Sequence, residues 1–86
     1  MNSFHVAKKV DQKRAEVFGG QLIALHISLH LGQCIALIRR DGMSENYAYS
    51  THVYGIDSES FYWGHYDMSE SEARESFINR VNKYNG

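Results

Sequence analysis

The 86-residue chain contains only one cysteine, no proline and no long apolar run. The scarcity of cysteine and of apolar runs excludes several kinds of protein. A single cysteine, Cys34, cannot form a disulfide within the chain, which favours a reducing compartment. The first twenty residues have no apolar segment typical of a secretory signal, and no stretch approaches the ~20 apolar residues that span a bilayer. We therefore expect a cytoplasmic protein that does not enter a membrane.

Signatures of catalysis and cofactor binding are also missing. The chain has no glycine-rich phosphate loop, no paired carboxylates and no known catalytic motif. Its composition, 43% hydrophobic and 22% charged, is typical of a folded domain. We expect one domain over residues 1–86 that is not an enzyme and has no cofactor.

The net charge of −1 is unevenly divided. Residues 1–43 carry six Lys/Arg against three Asp/Glu, and residues 44–86 carry three against seven. This asymmetry is compatible with a surface that orients a partner, and equally with two solvated faces.

Residues 22–66 have the pattern of an antiparallel sheet. The segment QLIALHISLHL, residues 21–31, alternates strictly between two sides, which predicts a strand. Gly32-Gln33 and Asp41-Gly42 have the composition of two-residue hairpin turns. The remaining strands are predicted at residues 34–39, 46–54 and 61–66.

Residues 69–84 are predicted to form a C-terminal helix. Ser69 and Glu72 have the spacing of a capping box, in which each residue satisfies a free backbone donor of the other. One side of this helix is apolar and must cover the sheet; it consists of Ala73, Phe77, Ile78, Val81 and Tyr84.

Residues 1–20 fit two patterns. Phe4, Val6 and Val10 fit a short strand, and Val6, Val10 and Val17 fit an amphipathic helix. We favour a strand or an extended arm. The predicted fold is therefore α+β: an antiparallel β-meander of about four strands with one C-terminal α-helix packed on one face.

If both turns are two-residue loops, the alternation assigns each side chain to a face of the sheet. The core face, which the C-terminal helix should cover, then holds Ile23, Leu25, Ile27, Leu29, Cys34, Ala36, Ile38, Tyr47, Tyr49 and Val53. The second face holds Leu22, Ala24, His26, Ser28, His30, Ile35, Leu37, Arg39, Ala48, Ser50, His52 and Tyr54. A half-apolar open face has the composition of a contact surface. The alternative is that the N-terminal segment folds over it.

The segment FYWGHYDMSESEARESF, residues 61–77, joins an aromatic strand to the helix. Alternation predicts Phe61, Trp63 and His65 on one side, and Tyr62, Gly64 and Tyr66 on the other. Gly64 would leave room for a neighbouring backbone or a partner. With the second face, this strand completes the predicted protein-binding residues: His26, His30, Ile35, Leu37, Arg39, His52, Tyr54, Tyr62, Trp63 and Tyr66.

Other chemistries are disfavoured by the same placement. His26 and His30 on one strand lie roughly 13 Å apart, too far for one metal ion. The three histidines of the second face lie opposite Cys34, which we expect to be a small buried residue rather than a nucleophile. The basic residues Lys8, Lys9, Lys13 and Arg14 form a patch that nucleic acid could use, but the acidic half of the chain opposes it.

The aromatic-Gly-His/Tyr strand followed by DMSESEARESFINRV resembles the ending of many small α+β proteins of bacterial viruses and mobile elements. The overall build is similar to that of phage-encoded inhibitors of host defence, including anti-CRISPR proteins. The resemblance implies an inhibitor that occludes a surface of a larger complex. The expected partner is therefore a protein, either such a complex or a second copy in a homodimer. The alternative is a nucleic-acid-binding or metal-assisted accessory protein.

Overall fold

The computed structural model describes residues 2–85 and contains two helices and one four-stranded sheet. Each strand pairs antiparallel with the next, in the order β1-β2-β3-β4. The predicted α+β meander is thus confirmed. The elements are α1 (Ser3–Val17), β1 (Gln21–Ser28), a 3₁₀ turn (Leu29–Leu31), β2 (Gln33–Arg39), β3 (Tyr49–Gly55), β4 (Ser60–Met68) and α2 (Glu70–Asn85).

The helix α1 replaces the strand or arm that we favoured for residues 1–20, and that prediction is wrong over residues 3–17. Asn2 caps the helix because its Oδ1 accepts a hydrogen bond from the backbone N–H of His5, at 2.8 Å. Val6 and Val10, one turn apart, are both buried. They have the i, i+4 spacing that places two side chains on one helical face. The helical pattern of the valines therefore prevails over the strand pattern.

Each helix covers one face of the sheet, so the described residues leave no broad open face. Val6 and Val10 of α1 pack in one cluster with Cys34 and Tyr54. On the opposite face, Ala73 of α2 packs in a cluster with Leu37 and Tyr49. The N-terminal segment does fold over the sheet, but it covers the face of Cys34, which we had assigned to α2, and α2 covers the face of Leu37, which we had left open. Our assignment of α2 to the face of Cys34 is therefore wrong.

The loops explain why the faces were misassigned. Between β1 and β2, the 3₁₀ turn makes the connection longer than two residues, so Cys34 pairs with Ile27 instead of Leu31. This shift is even over Ala24–Ser28 and keeps those side chains on their predicted faces. The register shift between Leu22 and Ala24 exchanges the faces of Leu22 and Ile23, so their predicted placement is wrong. Between β2 and β3 the loop spans residues 40–48, and Cys34 pairs with Tyr54 instead of Tyr49. That shift is odd and exchanges the two faces of β3.

Two irregularities in β4 break its alternation as well. The register with β3 shifts twice, and Trp63 and Asp67 have positive φ angles of 51° and 58°. Such bulges insert an extra residue and change the face of the sheet on which the following side chains lie. Phe61 therefore faces α1, whereas His65 faces α2. The predicted common side of Phe61, Trp63 and His65 is wrong.

The helix α2 begins with the predicted capping box. The Ser69 N–H donates to Glu72 Oε1 at 3.0 Å, and the Glu72 N–H donates to Ser69 Oγ at 3.3 Å. The hydrogen bond from the Ser69 backbone lowers the pKa of the Glu72 carboxyl. Within residues 2–85, neither helix has the length and apolar character needed to cross a membrane.

Candidate functional site

Four of the ten predicted protein-binding residues are buried in the core. Ile35 and Leu37 lie on the α2 side of the sheet, and His52 and Tyr54 lie on the α1 side. The predicted open face is wrong for these four residues, because the longer loop before β3 moves two of them to the other side and the helices cover both sides.

Three further predicted residues lie apart from one another. His26 is half-buried in β1, and His30 is exposed in the 3₁₀ turn, where its Nδ1 lies 3.4 Å from Ser28 Oγ. Arg39 ends β2 and donates to Glu45 at 2.9 Å. They form no common site with the buried residues.

The last three, the aromatic residues Tyr62, Trp63 and Tyr66, are all exposed on β4. The residue Trp63 is 65% exposed, which is unusual for one with so large an apolar group. Its ring is nearly parallel to that of Tyr84, with an interplanar angle of 10° and 6.5 Å between centroids. Arg80 donates a hydrogen bond to the Trp63 carbonyl oxygen. Trp63 therefore contacts Tyr84 and Arg80 of α2, while its indole remains exposed to solvent.

A groove of about 410 Å³ runs between β4 and α2, beside this indole. We call it the β4–α2 groove; it is lined by Trp63, His65, Ser76, Asn79, Arg80, Lys83 and Tyr84. Two of these residues are permanently cationic and none is a carboxylate. The groove therefore combines aromatic walls with positive charge.

Arg80 is the least ordinary member of the groove. Arg80 is only 8% exposed, and its Nη1 has no hydrogen-bond partner among the described residues. Burial lowers the pKa of the guanidinium, and Tyr84 opposes that effect only in part; among residues 2–85 no carboxylate does so. Buried cations are normally paired with an anion. Arg80 therefore contributes uncompensated positive charge under the groove.

The surroundings of His65 disfavour its protonated form. Partial burial and the neighbouring Arg80 both lower the pKa of the imidazole below its ordinary value. Its Nδ1 lies 3.5 Å from Ser76 Oγ, which also contacts Thr51 Oγ1 at 2.9 Å. This chain of polar groups links β3 and β4 to α2, and His65 is its exposed end.

Tyr62 and Tyr66 lie outside the groove and have internal partners. The Tyr62 hydroxyl hydrogen-bonds Ser58 Oγ, and the Tyr66 ring packs on His52 with 5.1 Å between centroids. A Cβ at Gly64 would lie 2.6 Å from the Tyr66 ring. Gly64 therefore makes room for Tyr66 of the same chain, and the space that we predicted there for a partner or a neighbouring backbone is occupied.

The arrangement around Cys34 does not suit nucleophilic catalysis. Cys34 is fully buried, and burial raises the pKa of its thiol to about 11. A thiol that stays protonated is a poor nucleophile. We predicted His52 on the face opposite Cys34, but it shares the face. Its Nε2 lies 2.9 Å from Ser50 Oγ, and its ring packs against Phe18.

Metal and nucleic-acid chemistry find little support in the side-chain positions. Over residues 2–85, no three or more His, Cys, Asp or Glu side chains are grouped to hold a metal ion. Three of the four basic residues predicted as a patch on α1 lie in ion pairs: Lys9 with Glu59 (3.5 Å), Lys13 with Glu16 (3.8 Å) and Arg14 with Asp11 (2.7 Å). The positive charge of that patch is thus largely neutralised.

Sequence reasoning missed Arg80 and Lys83. Arg80 follows Ala73 by seven residues, so it falls on the apolar stripe of α2 where a charge is unexpected. A charged residue on this apolar stripe was the feature of the sequence that could have identified Arg80 as a functional residue. Comparison with known proteins adds no relative: no family model, no curated protein and no solved structure matches this chain.

Proposed function

We propose that this protein is a non-enzymatic protein-binding module that holds an acidic segment of a partner protein in the β4–α2 groove. The observation that carries the proposal is the exposed Trp63 indole beside a groove with two cations and no carboxylate. Another cleft, of about 440 Å³, lies beside α1, but lysine and glutamate side chains both line it and no exposed aromatic ring of the described residues stands in it.

Trp63 supplies the apolar anchor of this interaction. Tryptophan is enriched among the few interface residues that carry most of the binding energy. Its 65% exposed ring already rests beside Tyr84, so little side-chain freedom is lost when a partner covers it. Truncating such an anchor costs about 2–4 kcal/mol of binding free energy.

Arg80 and Lys83 select the charge of the partner. A carboxylate beside Arg80 would supply the counter-charge that the buried guanidinium lacks. Lys83, at the rim, has its Nζ 5.7 Å from the Tyr84 ring centroid and can reach the same anion. A protein segment is favoured over nucleic acid because the basic residues of α1, which a longer polyanion would need, are mostly paired.

The biological role that fits this activity is occlusion of a surface on a larger complex, in the manner of phage-encoded inhibitors of host defence. Support comes from the small size, the absence of a catalytic arrangement in the described residues, and an exposed aromatic anchor on β4. A cytoplasmic site of action is part of the same proposal.

The test is a selection from a random peptide library displayed on phage, followed by affinity measurement on the selected peptides. We expect acidic peptides with an apolar residue, and a Kd that rises about 30-fold for Trp63→Ala. Tyr47→Ala is the matched control, because Tyr47 is 58% exposed and outside the groove. Equal binding by the wild type and Trp63→Ala would refute the site.

A second pair of variants tests the charge. Lys83→Gln should weaken the binding of acidic peptides severalfold, whereas Lys8→Gln, on α1, should leave their affinity unchanged. If the peptides recovered are not acidic, or if single-stranded DNA or RNA binds in a Trp63-dependent way instead, the assignment to an acidic protein segment is wrong.

A further inference from the structure

The two edges of the sheet are built differently. β4 closes one edge with two register shifts and two residues of positive φ, and it carries Asp67. Bulges and charges of this kind keep an edge strand from pairing with another chain. β1 forms the other edge, and its eight residues QLIALHIS include no Lys, Arg, Asp, Glu, Pro or Gly. Its outer backbone groups are therefore unprotected.

The composition of β1 suits pairing with itself. Residues Ala24–Ser28 pair one for one with β2, and the register shifts only before Ala24. The centre of this regular stretch is His26. A two-fold axis at His26 would place Leu25 opposite Ile27 of a second copy, and Ala24 opposite Ser28. Large apolar residues then meet on one face and small residues on the other, with no Lys, Arg, Asp or Glu in the paired stretch.

We infer that β1 pairs antiparallel with β1 of a second copy about this axis, which joins two four-stranded sheets into one of eight strands. Two residues that follow β1, Leu29 and Leu31, are exposed in the 3₁₀ turn and add apolar surface at the end of the paired stretch. Assembly stops at two copies because the β4 edge is blocked, so the contact closes as a dimer rather than growing into a fibre.

The dimer and the groove are independent of each other. The axis lies on β1, whereas the groove lies on β4 at the opposite edge of the sheet. Two copies would therefore present two grooves. Loss of dimerisation should not change the affinity of one groove for a peptide, so the failure of either proposal leaves the other testable.

Sedimentation velocity over a range of concentrations tests the dimer, and wild-type protein is expected to be dimeric at high concentration. His26→Asp places two carboxylates opposite each other at the axis and should raise the dimer Kd by roughly fivefold or more. His30→Asp adds the same charge in the exposed turn, outside the paired stretch, and should have a smaller effect. A wild-type protein that remains monomeric at all concentrations overturns the inference.

Disulfide trapping tests the register. His26→Cys brings two thiols to the axis, where paired Cα atoms lie about 4.5–5.5 Å apart, within disulfide range. Gln21→Cys is the control, because five residues from the axis its two copies would be about 33 Å apart. Native Cys34 is buried and does not compete. Circular dichroism verifies folding. A dimer that His26→Cys does not crosslink, or that Gln21→Cys crosslinks equally, would mean a different interface.

Discussion

The buried imidazole of His52 should make the stability of this fold depend on pH in the mildly acidic range. His52 is 1% exposed and packs against Phe18 and Phe61. Burial, reinforced by the positive charges of Arg80 and Arg40, lowers the pKa of His52 from 6.5 to about 4. The folded protein therefore keeps this side chain neutral where the unfolded chain would bind a proton.

The sign and size of the effect follow from these two pKa values. Between them the unfolded state binds more protons, so the free energy of unfolding falls as the pH falls from about 6.5 towards about 4. The full difference corresponds to about 3 kcal/mol, of which about 2 kcal/mol is lost by about pH 5. A loss of that size should lower Tm by about 10 °C in a domain of this length.

Urea titrations at a series of pH values between about 7 and about 5 measure this loss. Glu45 and Glu72 also have lowered pKa values, but their stabilisation is lost only as the pH falls below their ordinary 4.5. The pKa of His65 is lowered, as is that of His52, so His65→Gln is measured in parallel. We expect it to remove only the smaller part of the dependence of the free energy of unfolding on pH.

The decisive variant is His52→Gln, whose amide can still bond Ser50 but does not titrate. It should be less stable than the wild type at neutral pH, because ring contacts are lost, yet its stability should change much less between about pH 7 and about pH 5. If the wild type and His52→Gln lose stability in parallel over this range, the buried histidine is not the source of the pH dependence.

Three other predictions concern single residues. Ser69→Ala removes the capping box with Glu72 and should reduce the free energy of unfolding by about 1 kcal/mol in urea titration. Trp63→Gly relieves the positive φ of 51° at the bulge, so it should leave stability equal or raise it by up to about 1 kcal/mol while abolishing peptide binding; a parallel loss of both would contradict its role as an exposed anchor. Gly20→Ala should destabilise by more than about 2 kcal/mol in thermal melts, because its Cβ would overlap the Arg39 carbonyl oxygen at a positive φ of 62°.

Part of the candidate site was predictable because the aromatic composition of residues 61–66 and the capping box that follows are local features. Trp63 was among the predicted binding residues, although the bulges of β4 place it on a different side from the one we predicted. Arg80 was not predicted, because the sequence alone does not reveal that a charge on the apolar stripe of α2 remains without a carboxylate. Whether a carboxylate lies near Arg80 depends on which residues of β4 are opposite it in the folded chain.

The sequence by itself determined the elements whose signals are local. The alternation of β1, the apolar run of β2 and the capping box of α2 each depend on neighbours a few residues apart, and all three elements are present in the structure. The strand that we predicted over residues 21–31 ends at Ser28, however, because residues 29–31 form the 3₁₀ turn. The burial of Cys34 was also predictable, since a small thiol in an apolar run is covered from either side.

Only the tertiary structure decided which face each side chain occupies. A loop over residues 40–48, in place of a two-residue turn, shifts the pairing of β2 and β3 by an odd number and reverses every side chain of β3. The valines of α1 fitted two local patterns, and packing on Cys34 and Tyr54 favours the helix. Register and packing join residues far apart in the chain, so local periodicity could not show that both faces of the sheet are covered.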